Sequence, residues 1–129
     1  MSDYADIVGS FEAEEGYPAE PWIDAFNALH ITAFNPQEAA DFLVNRLPEL
    51  KKSISCMSVE IAEGKDRWTN APLTLVEYHT GGWSGAEDLI EAMLGQFWIR
   101  HYHTTWHRGG HFYFEVPDSA LPSRRQEGV

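Results

Sequence analysis

Three things are scarce in this sequence: it has a single cysteine, Cys56, no apolar run long enough to cross a bilayer, and no Lys or Arg before Arg46. One cysteine cannot form an internal disulfide. A secretory leader needs a basic start followed by an apolar run, which this sequence lacks, and a membrane helix needs about 20 apolar residues. We therefore expect a cytoplasmic protein with no membrane partner.

Basic residues are missing from the first third of the chain. Nine acidic residues precede Arg46, and the rest of the chain has eleven acidic residues against nine basic ones, so the formal net charge is −11. Binding to a nucleic-acid backbone depends mostly on Lys and Arg displacing counterions, so the charge argues against a nucleic-acid partner. An acidic surface can instead attract a basic protein or imitate DNA, and an inhibitor that imitates DNA is kept as an alternative function.

The length fits one folded domain. Residues 1–20 alternate acidic with small residues and have too little apolar surface to fold alone. Their larger apolar residues nevertheless have helical spacing: Tyr4, Ile7, Val8 and Phe11. Two alternatives stay open for this segment, a short docked helix and a loose tail. The rest, 21–129, is predicted to be one α+β domain, with helices over 21–53, a sheet and a crossover helix over 54–116, and a tail over 117–129.

Helix starts are the clearest local signals. Pro21 suits the first turn of a helix, because its missing N–H would be unpaired there. Asn35 and Glu38 have the spacing of a capping box. They predict a helix from Pro36 to about Leu47, which Pro48 then stops or kinks.

Ser84 and Glu87 have the same spacing and predict a second capping box. Apolar residues at helical spacing follow, so a helix is predicted from Ser84 to Leu94, with Gly95 ending it. At 1.5 Å per residue this helix spans roughly 16 Å. It is short enough to connect two strands of one sheet.

Alternating apolar residues predict four strands. They are placed at 55–63, within 67–80, at 97–106 and at 111–116, and Gly109-Gly110 supplies the turn between the last two. We predict an α+β fold with a four-stranded, mainly antiparallel sheet in the order 1-2-4-3, a β-β-α-β-β core, and N-terminal helices packed against it. Direct parallel pairing of strands two and three is the alternative.

A two- or four-residue turn at Gly109-Gly110 fixes the predicted faces of the last hairpin. One face carries Phe97, Ile99, His101, His103, Thr105, Phe112, Phe114 and Val116. The other carries Trp98, Arg100, Tyr102, Thr104, Trp106, His111, Tyr113 and Glu115. The first of these faces is predicted to be the core under the crossover helix.

This topology brings the glycine loop 81–83, His79 and the turn 106–111 to one end of the sheet. Tryptophan, tyrosine and arginine dominate the energetics of protein interfaces. The first functional interpretation is therefore a non-enzymatic module, without a cofactor or catalytic residues, that binds a protein partner. Self-association stays open. The predicted binding surface consists of Trp83, Trp106, Arg108, His111 and Tyr113.

Five of the six histidines lie within one stretch of 33 residues: His79, His101, His103, His107 and His111. Two or three of them, with Glu77 or Asp66, offer the nitrogen and carboxylate donors that zinc and similar divalent metals prefer. The alternative interpretation is thus a metal-dependent enzyme. Alternation places His101 and His103 across the sheet from His111, so the predicted ligands are His79, His107 and His111.

A larger pattern joins these motifs. It reads Thr80-Gly-Gly-Trp-Ser-Gly, then Glu87, Leu89, Ile90, Phe97 and Trp98, and then Arg108-Gly-Gly-His with Phe112, Phe114, Glu115 and Val116. The pattern covers about the last third of the chain. It resembles a family of small, uncharacterised proteins encoded by bacteriophages, particularly those of actinobacteria, and by prophages. The resemblance implies a phage accessory protein that acts on a host or phage protein in the bacterial cytoplasm, and it carries over no activity, cofactor or catalytic residue.

Overall fold

The structure, a computed structural model, describes residues 3–55, 57–81 and 83–121. Cys56 and Gly82 lie outside the described residues. The predicted tail over 117–129 is described as far as Leu121, and that part packs against the body of the protein. Ala120 and Leu121 are both buried, and the Thr74 hydroxyl donates a hydrogen bond to Asp118 at 2.8 Å.

The helices and strands form three blocks along the chain. The first block contains α1 (Asp3–Gly9), β1 (Ala13–Glu14), β2 (Tyr17–Pro18) and α2 (Glu20–Asn27). The second contains α3 (Pro36–Asp41), a π-helical turn (Phe42–Arg46), α4 (Leu47–Leu50) and a 3-10 turn (Lys51–Ser53). The third contains β3 (Ser58–Lys65), β4 (Pro72–His79), α5 (Ser84–Leu94), α6 (Phe97–Tyr102), β5 (His103–His107), β6 (His111–Pro117) and a 3-10 turn (Asp118–Ala120).

The main sheet has the order β3-β4-β6-β5, and each neighbouring pair is antiparallel. This confirms the α+β class and the predicted order 1-2-4-3. A separate two-stranded hairpin, β1-β2, precedes it. Among the described residues, no helix combines the length and the apolar character that crossing a membrane requires.

The N-terminal segment contains a short docked helix, α1, followed by the hairpin β1-β2. In α1, Ile7 is buried, and its carbonyl oxygen accepts a hydrogen bond from Trp22 Nε1 at 2.7 Å. The Tyr4 hydroxyl donates to the Asp41 carboxylate. Burial, followed by this carboxylate, raises the pKa of the Tyr4 phenol. The helix α1 is therefore held to α2 and α3 by both apolar and polar contacts.

The third strand begins six residues later than predicted, because α6 precedes it. The buried side chain of Gln96 fixes the start of this helix: its Nε2 donates to His30 O at 2.7 Å, and its Oε1 accepts from Phe34 N at 3.1 Å. Ile99 and Tyr102, three residues apart, are the buried positions of the helix. The core is thus β-β-α-α-β-β, and the prediction of a strand from Phe97 is wrong.

The predicted register of the last hairpin is also wrong. His107 pairs with His111, so the turn contains three residues, 108–110, and both of its glycines have positive φ. Trp106 consequently pairs with Phe112 and shares its face, instead of sharing the face of His111 and Tyr113. A shift of one residue sends a side chain to the opposite face. The irregularity between His103 and Thr105 pairs His103 with Phe114, so His103 keeps its predicted face.

The two predicted capping boxes have different outcomes. In the first, Glu38 N donates to Asn35 Oδ1 at 2.8 Å and Asn35 N donates to Glu38 Oε1 at 3.0 Å, which confirms it. In the second, Trp83 is the capping residue, Ser84 is already helical, and no side chain caps the helix. The helix α5 still begins at Ser84 and ends before Gly95, as predicted.

The helix over 36–53 continues through Pro48 by means of the π-helical turn. Leu47 N bonds to Phe42 O, five residues back, and Pro48 has no N–H to offer to the preceding turn. The Leu43 carbonyl oxygen on that turn accepts a hydrogen bond from the hydroxyl of Tyr78, which is fully buried. A strand side chain thus replaces the donor that the proline lacks.

Tyr78→Phe should lower the free energy of unfolding by about 1–3 kcal/mol, because it leaves a buried carbonyl oxygen without a donor. Urea denaturation followed by circular dichroism measures this change. Tyr17→Phe is the matched control, since its hydroxyl makes no hydrogen bond with the described residues and we expect a change within about 0.5 kcal/mol. Equal losses in the two variants would contradict the assigned role of Tyr78.

The helices cover one face of the main sheet. Val76, Tyr78, Phe112 and Phe114 lie on that face and are buried. The other face carries partly or fully exposed side chains, among them Glu60, Glu77, His79, His111 and Tyr113. We call it the open face.

Candidate metal centre

Two neighbouring cross-strand rows at one end of the open face hold most of its ionisable side chains. Strand pairing runs each row across β3, β4, β6 and β5. The first row is Ser58, His79, His111 and His107. The second is Glu60, Glu77, Tyr113 and Thr105.

The end of the sheet is fixed by the two glycine-containing turns. His79 is the last residue of β4 and pairs with His111, the first residue of β6. Directly beyond this pair, Thr80 N donates to Gly110 O at 2.8 Å. The loop after β4 and the turn before β6 therefore meet at one rim, as the topology predicted.

Glu77, His79 and His111 converge at this rim. One ligand atom from each lies within 4.8 Å of the other two. His79 Nε2 is 2.6 Å from Glu77 Oε2, and His111 Nδ1 is 3.5 Å from the same oxygen. The two imidazole rings meet edge to face, with centroids 4.5 Å apart. All three side chains are partly shielded, with 22 to 37% of their surface exposed.

Both convergent ring nitrogens lack a hydrogen-bond partner among the described residues. His79 Nε2 and His111 Nδ1 are shielded from solvent and make no hydrogen bond there. The 2.6 Å approach of His79 to Glu77 meets the distance for an ion pair but not the angles of a hydrogen bond. Two tetrahedral zinc ligands lie about 3.3 Å apart, so these two side chains would move apart slightly around a bound ion. Shielded polar atoms are nearly always paired. A cation between these atoms would be a common partner for the two ring nitrogens and the Glu77 carboxylate oxygen.

The charges around Glu77 also favour a cation. Glu60 lies directly opposite Glu77 on β3, and like charges in that position destabilise a sheet. Burial raises the pKa of the Tyr113 phenol, and the carboxylates of Glu77 and Glu60 raise it further. The second row is therefore an accumulation of negative charge with no basic residue within it.

A groove of about 590 Å³ adjoins the cluster on the open face. Glu60, Glu77 and His107 line one end, and Leu75 and Ala62 form part of its apolar lining. Its remaining lining residues are Arg67, Val76, Thr104, Thr105, Tyr113, Phe114 and Glu115. A ligand of this cluster would thus face a volume large enough for a small molecule.

The structure brings together two of the three predicted metal ligands. His107 lies opposite His111, but its ring packs edge to face on Tyr113 with centroids 5.1 Å apart, and it is not part of the convergent set. Glu77, which the sequence offered as an accessory ligand, takes its place. Asp66 instead accepts hydrogen bonds from the backbone of its own loop.

The remaining histidines lie elsewhere. His101 belongs to α6, where its ring stacks on Phe97. His103 packs against Phe112 and Phe114 on the helix-covered face, and burial lowers its pKa. His103 therefore lies across the sheet from His111, as predicted, whereas His101 belongs to a helix and not to the predicted strand.

The predicted protein-binding surface is divided between the two faces of the sheet. Trp83 and Trp106 are 58% and 54% exposed. Trp106 shares the face of Phe112, whereas His111 and Tyr113 belong to the open face. Trp83 and Arg108 belong to the rim. Trp83 is the last residue of the loop after β4, and Arg108 is in the turn before β6. A single contact through all five residues would have to wrap around this rim, and the surface stays a prediction.

Sequence reasoning named Glu77 only as an accessory ligand and did not single out Glu60. The signal for Glu77 is its spacing of two residues from His79 in a strand, which puts both side chains on one face. Glu60 has no comparable local signal, because only the pairing of β3 with β4 brings it opposite Glu77.

Comparisons with known proteins give no match for this chain: no family model, no curated protein and no solved structure is similar to it. The resemblance to phage-encoded proteins therefore stays a prediction. The residues of the open face carry the functional argument.

Proposed function

We propose that the protein binds one divalent metal ion, preferably zinc, through Glu77, His79 and His111, and that it is a metal-dependent hydrolytic enzyme. The observation that carries this proposal is the convergence of three ligand atoms within 4.8 Å, two of them ring nitrogens that have no hydrogen-bond partner in the described part of the chain. Two histidines and one carboxylate form a ligand set used by catalytic zinc sites, which leave a further coordination position open for water or substrate.

The ligands are held by the most regular part of the fold. Glu77 and His79 belong to β4 and His111 to β6, and these two strands are the central pair of the main sheet. Such a backbone fixes ligand positions more accurately than a loop does. The small rearrangement that metal binding needs is thus confined to the side chains.

The open position and the groove suit hydrolysis. A zinc ion in such a site lowers the pKa of its bound water to about 7, which supplies a nucleophile at neutral pH. The groove adjoining Glu77 offers space for the substrate on the same face. Hydrolysis by this route needs no nucleophilic serine or cysteine from the protein.

Metal analysis of protein purified without a histidine tag tests the proposal. After chelation and reloading with zinc, we expect one zinc per chain by inductively coupled plasma mass spectrometry, and none in the His79→Ala/His111→Ala double variant. His101→Ala is the control, because this histidine lies on α6, and it should retain one zinc. Absence of zinc from the wild type, or equal zinc in the double variant, would refute the proposed site.

A further inference from the structure

We infer that Glu60 is the general base of this site and that its substrates are neutral carbonyl compounds, namely esters or amides. The inference rests on the proposed metal-dependent hydrolysis and assigns it a proton acceptor and a substrate class. Glu60 belongs neither to the sequence motifs described above nor to the ligand cluster.

The position of Glu60 follows from the strand register. Glu60 pairs with the ligand Glu77 across β3 and β4, so both carboxylates project from the open face side by side. Glu60 is outside the convergent ligand set but lines the same groove. Within the described part of the chain it has no ion-pair partner. It is a carboxylate beside the metal position that is free to accept a proton.

The separation between the strands suits this role. Neighbouring strands lie about 4.8 Å apart. A zinc ion held by Glu77, His79 and His111 would lie over β4 and β6, between one and two strand spacings from β3. A zinc–oxygen bond of about 2.1 Å and a short hydrogen bond of about 2.6 Å together cover one of these spacings, and the Glu60 side chain, leaning across β4, covers the rest.

The reaction is balanced with water alone. Glu60 takes one proton from the metal-bound water, and the water oxygen forms a bond to the carbonyl carbon of the substrate. The bond from that carbon to the leaving oxygen or nitrogen then breaks, and Glu60 returns the proton to the leaving group. The products are a carboxylic acid and an alcohol or amine, and no redox partner is needed.

The charge of the groove selects the substrate class. Glu60, Glu77 and Glu115 line it, against the single basic side chain of Arg67. A bound zinc ion would offset two of these negative charges and Arg67 a third, so the groove has no net positive charge to attract a phosphodiester. An uncharged ester or amide needs no such attraction, and its apolar part can lie along Leu75 and Ala62.

Hydrolysis of 4-nitrophenyl acetate by zinc-loaded protein tests the inference. Glu60→Gln should lower kcat by about 10²- to 10⁴-fold, the usual contribution of a general base, while the protein still binds one zinc per chain and is no less stable than the wild type, because the change removes a like-charge pair. Glu91→Gln, the same change at an exposed carboxylate on α5 and outside the groove, should keep kcat within about threefold of the wild type. Bis(4-nitrophenyl) phosphate should be hydrolysed much more slowly than the ester.

Several outcomes would overturn the inference. Ester hydrolysis by Glu60→Gln within threefold of the wild-type rate would exclude a base at this position, and loss of zinc from this variant would make Glu60 a ligand instead. A zinc-loaded wild type no faster than free zinc, or a preference for the phosphodiester, would also reject it. Failure of the wild type to bind zinc is a separate result, which rejects the metal centre itself.

Discussion

Zinc at a thousand times its dissociation constant is expected to raise the free energy of unfolding by about 4.1 kcal/mol. The reason is that Glu77 and His79 come from β4 and His111 from β6, so only the folded sheet holds the three ligands together. A ligand that binds the folded state alone stabilises it by mass action. Urea denaturation of chelator-treated protein, with and without added zinc, measures the gain.

The control variants separate this effect from nonspecific zinc binding. His111→Ala should lose most of the gain, because it removes one of the three donors from the site. His101→Ala should keep it, because its ring stacks on Phe97 in α6. An equal gain in all three proteins would place the zinc elsewhere and contradict the assignment.

The order of the main sheet could be predicted because it depends on lengths and directions. The helix α5 carries the chain back along the sheet, so the next strand starts at the opposite end from where β4 finished and runs in the direction of β4. The helix α6 lengthens this connection without changing the direction of β5. A strand between them completes the antiparallel pairing. Errors of a few residues at the strand ends do not change this conclusion.

The register of the last hairpin could not be predicted from the same information. Two adjacent glycines indicate a turn but do not fix its length, and turns of two, three or four residues all accept them. Residues 108–110 form a three-residue turn, which moves Trp106 to the face of Phe112. The assignment of side chains to faces therefore depended on a single residue.

The helix α6 was missed because its sequence satisfies two patterns. Phe97 and Ile99 alternate like a strand, while Ile99 and Tyr102 have helical spacing. The choice is made by Gln96, whose side chain binds the backbone of His30 and of Phe34, more than 60 residues away in the chain. Long-range contacts of this kind are absent from local sequence patterns.

The candidate site, like the fold, could be predicted from the sequence only in part. Histidine clustering and topology predicted that His79 and His111 would lie at one end of the sheet, and strand pairing puts them side by side. The third ligand could not be chosen from topology, because His107 and Glu77 both neighbour this pair on the open face. Packing of the His107 ring on Tyr113 decides between them.

The two faces of the sheet have opposite roles in stability. The helix-covered face buries apolar and aromatic side chains, whereas the open face places Glu60 opposite Glu77. A like-charge pair weakens a sheet, so the helical layer has to supply stability that the open face does not. The centre of that layer is the aromatic cluster of Tyr4, Phe26, Phe34 and Phe42.

Phe34→Ala is expected to lower the free energy of unfolding by about 3–5 kcal/mol. Phe34 is fully buried, and its ring contacts Tyr4, Phe26 and Phe42 with centroids 5.0 to 5.5 Å apart. Truncation therefore leaves a cavity where α1, α2 and the π-helical turn meet. Phe97→Ala, the same change at a residue 43% exposed, should cost about 1 kcal/mol or less. Urea denaturation compares the two variants. Similar losses would mean that the aromatic cluster is not the centre of stability, because a buried ring and an exposed ring would then contribute alike.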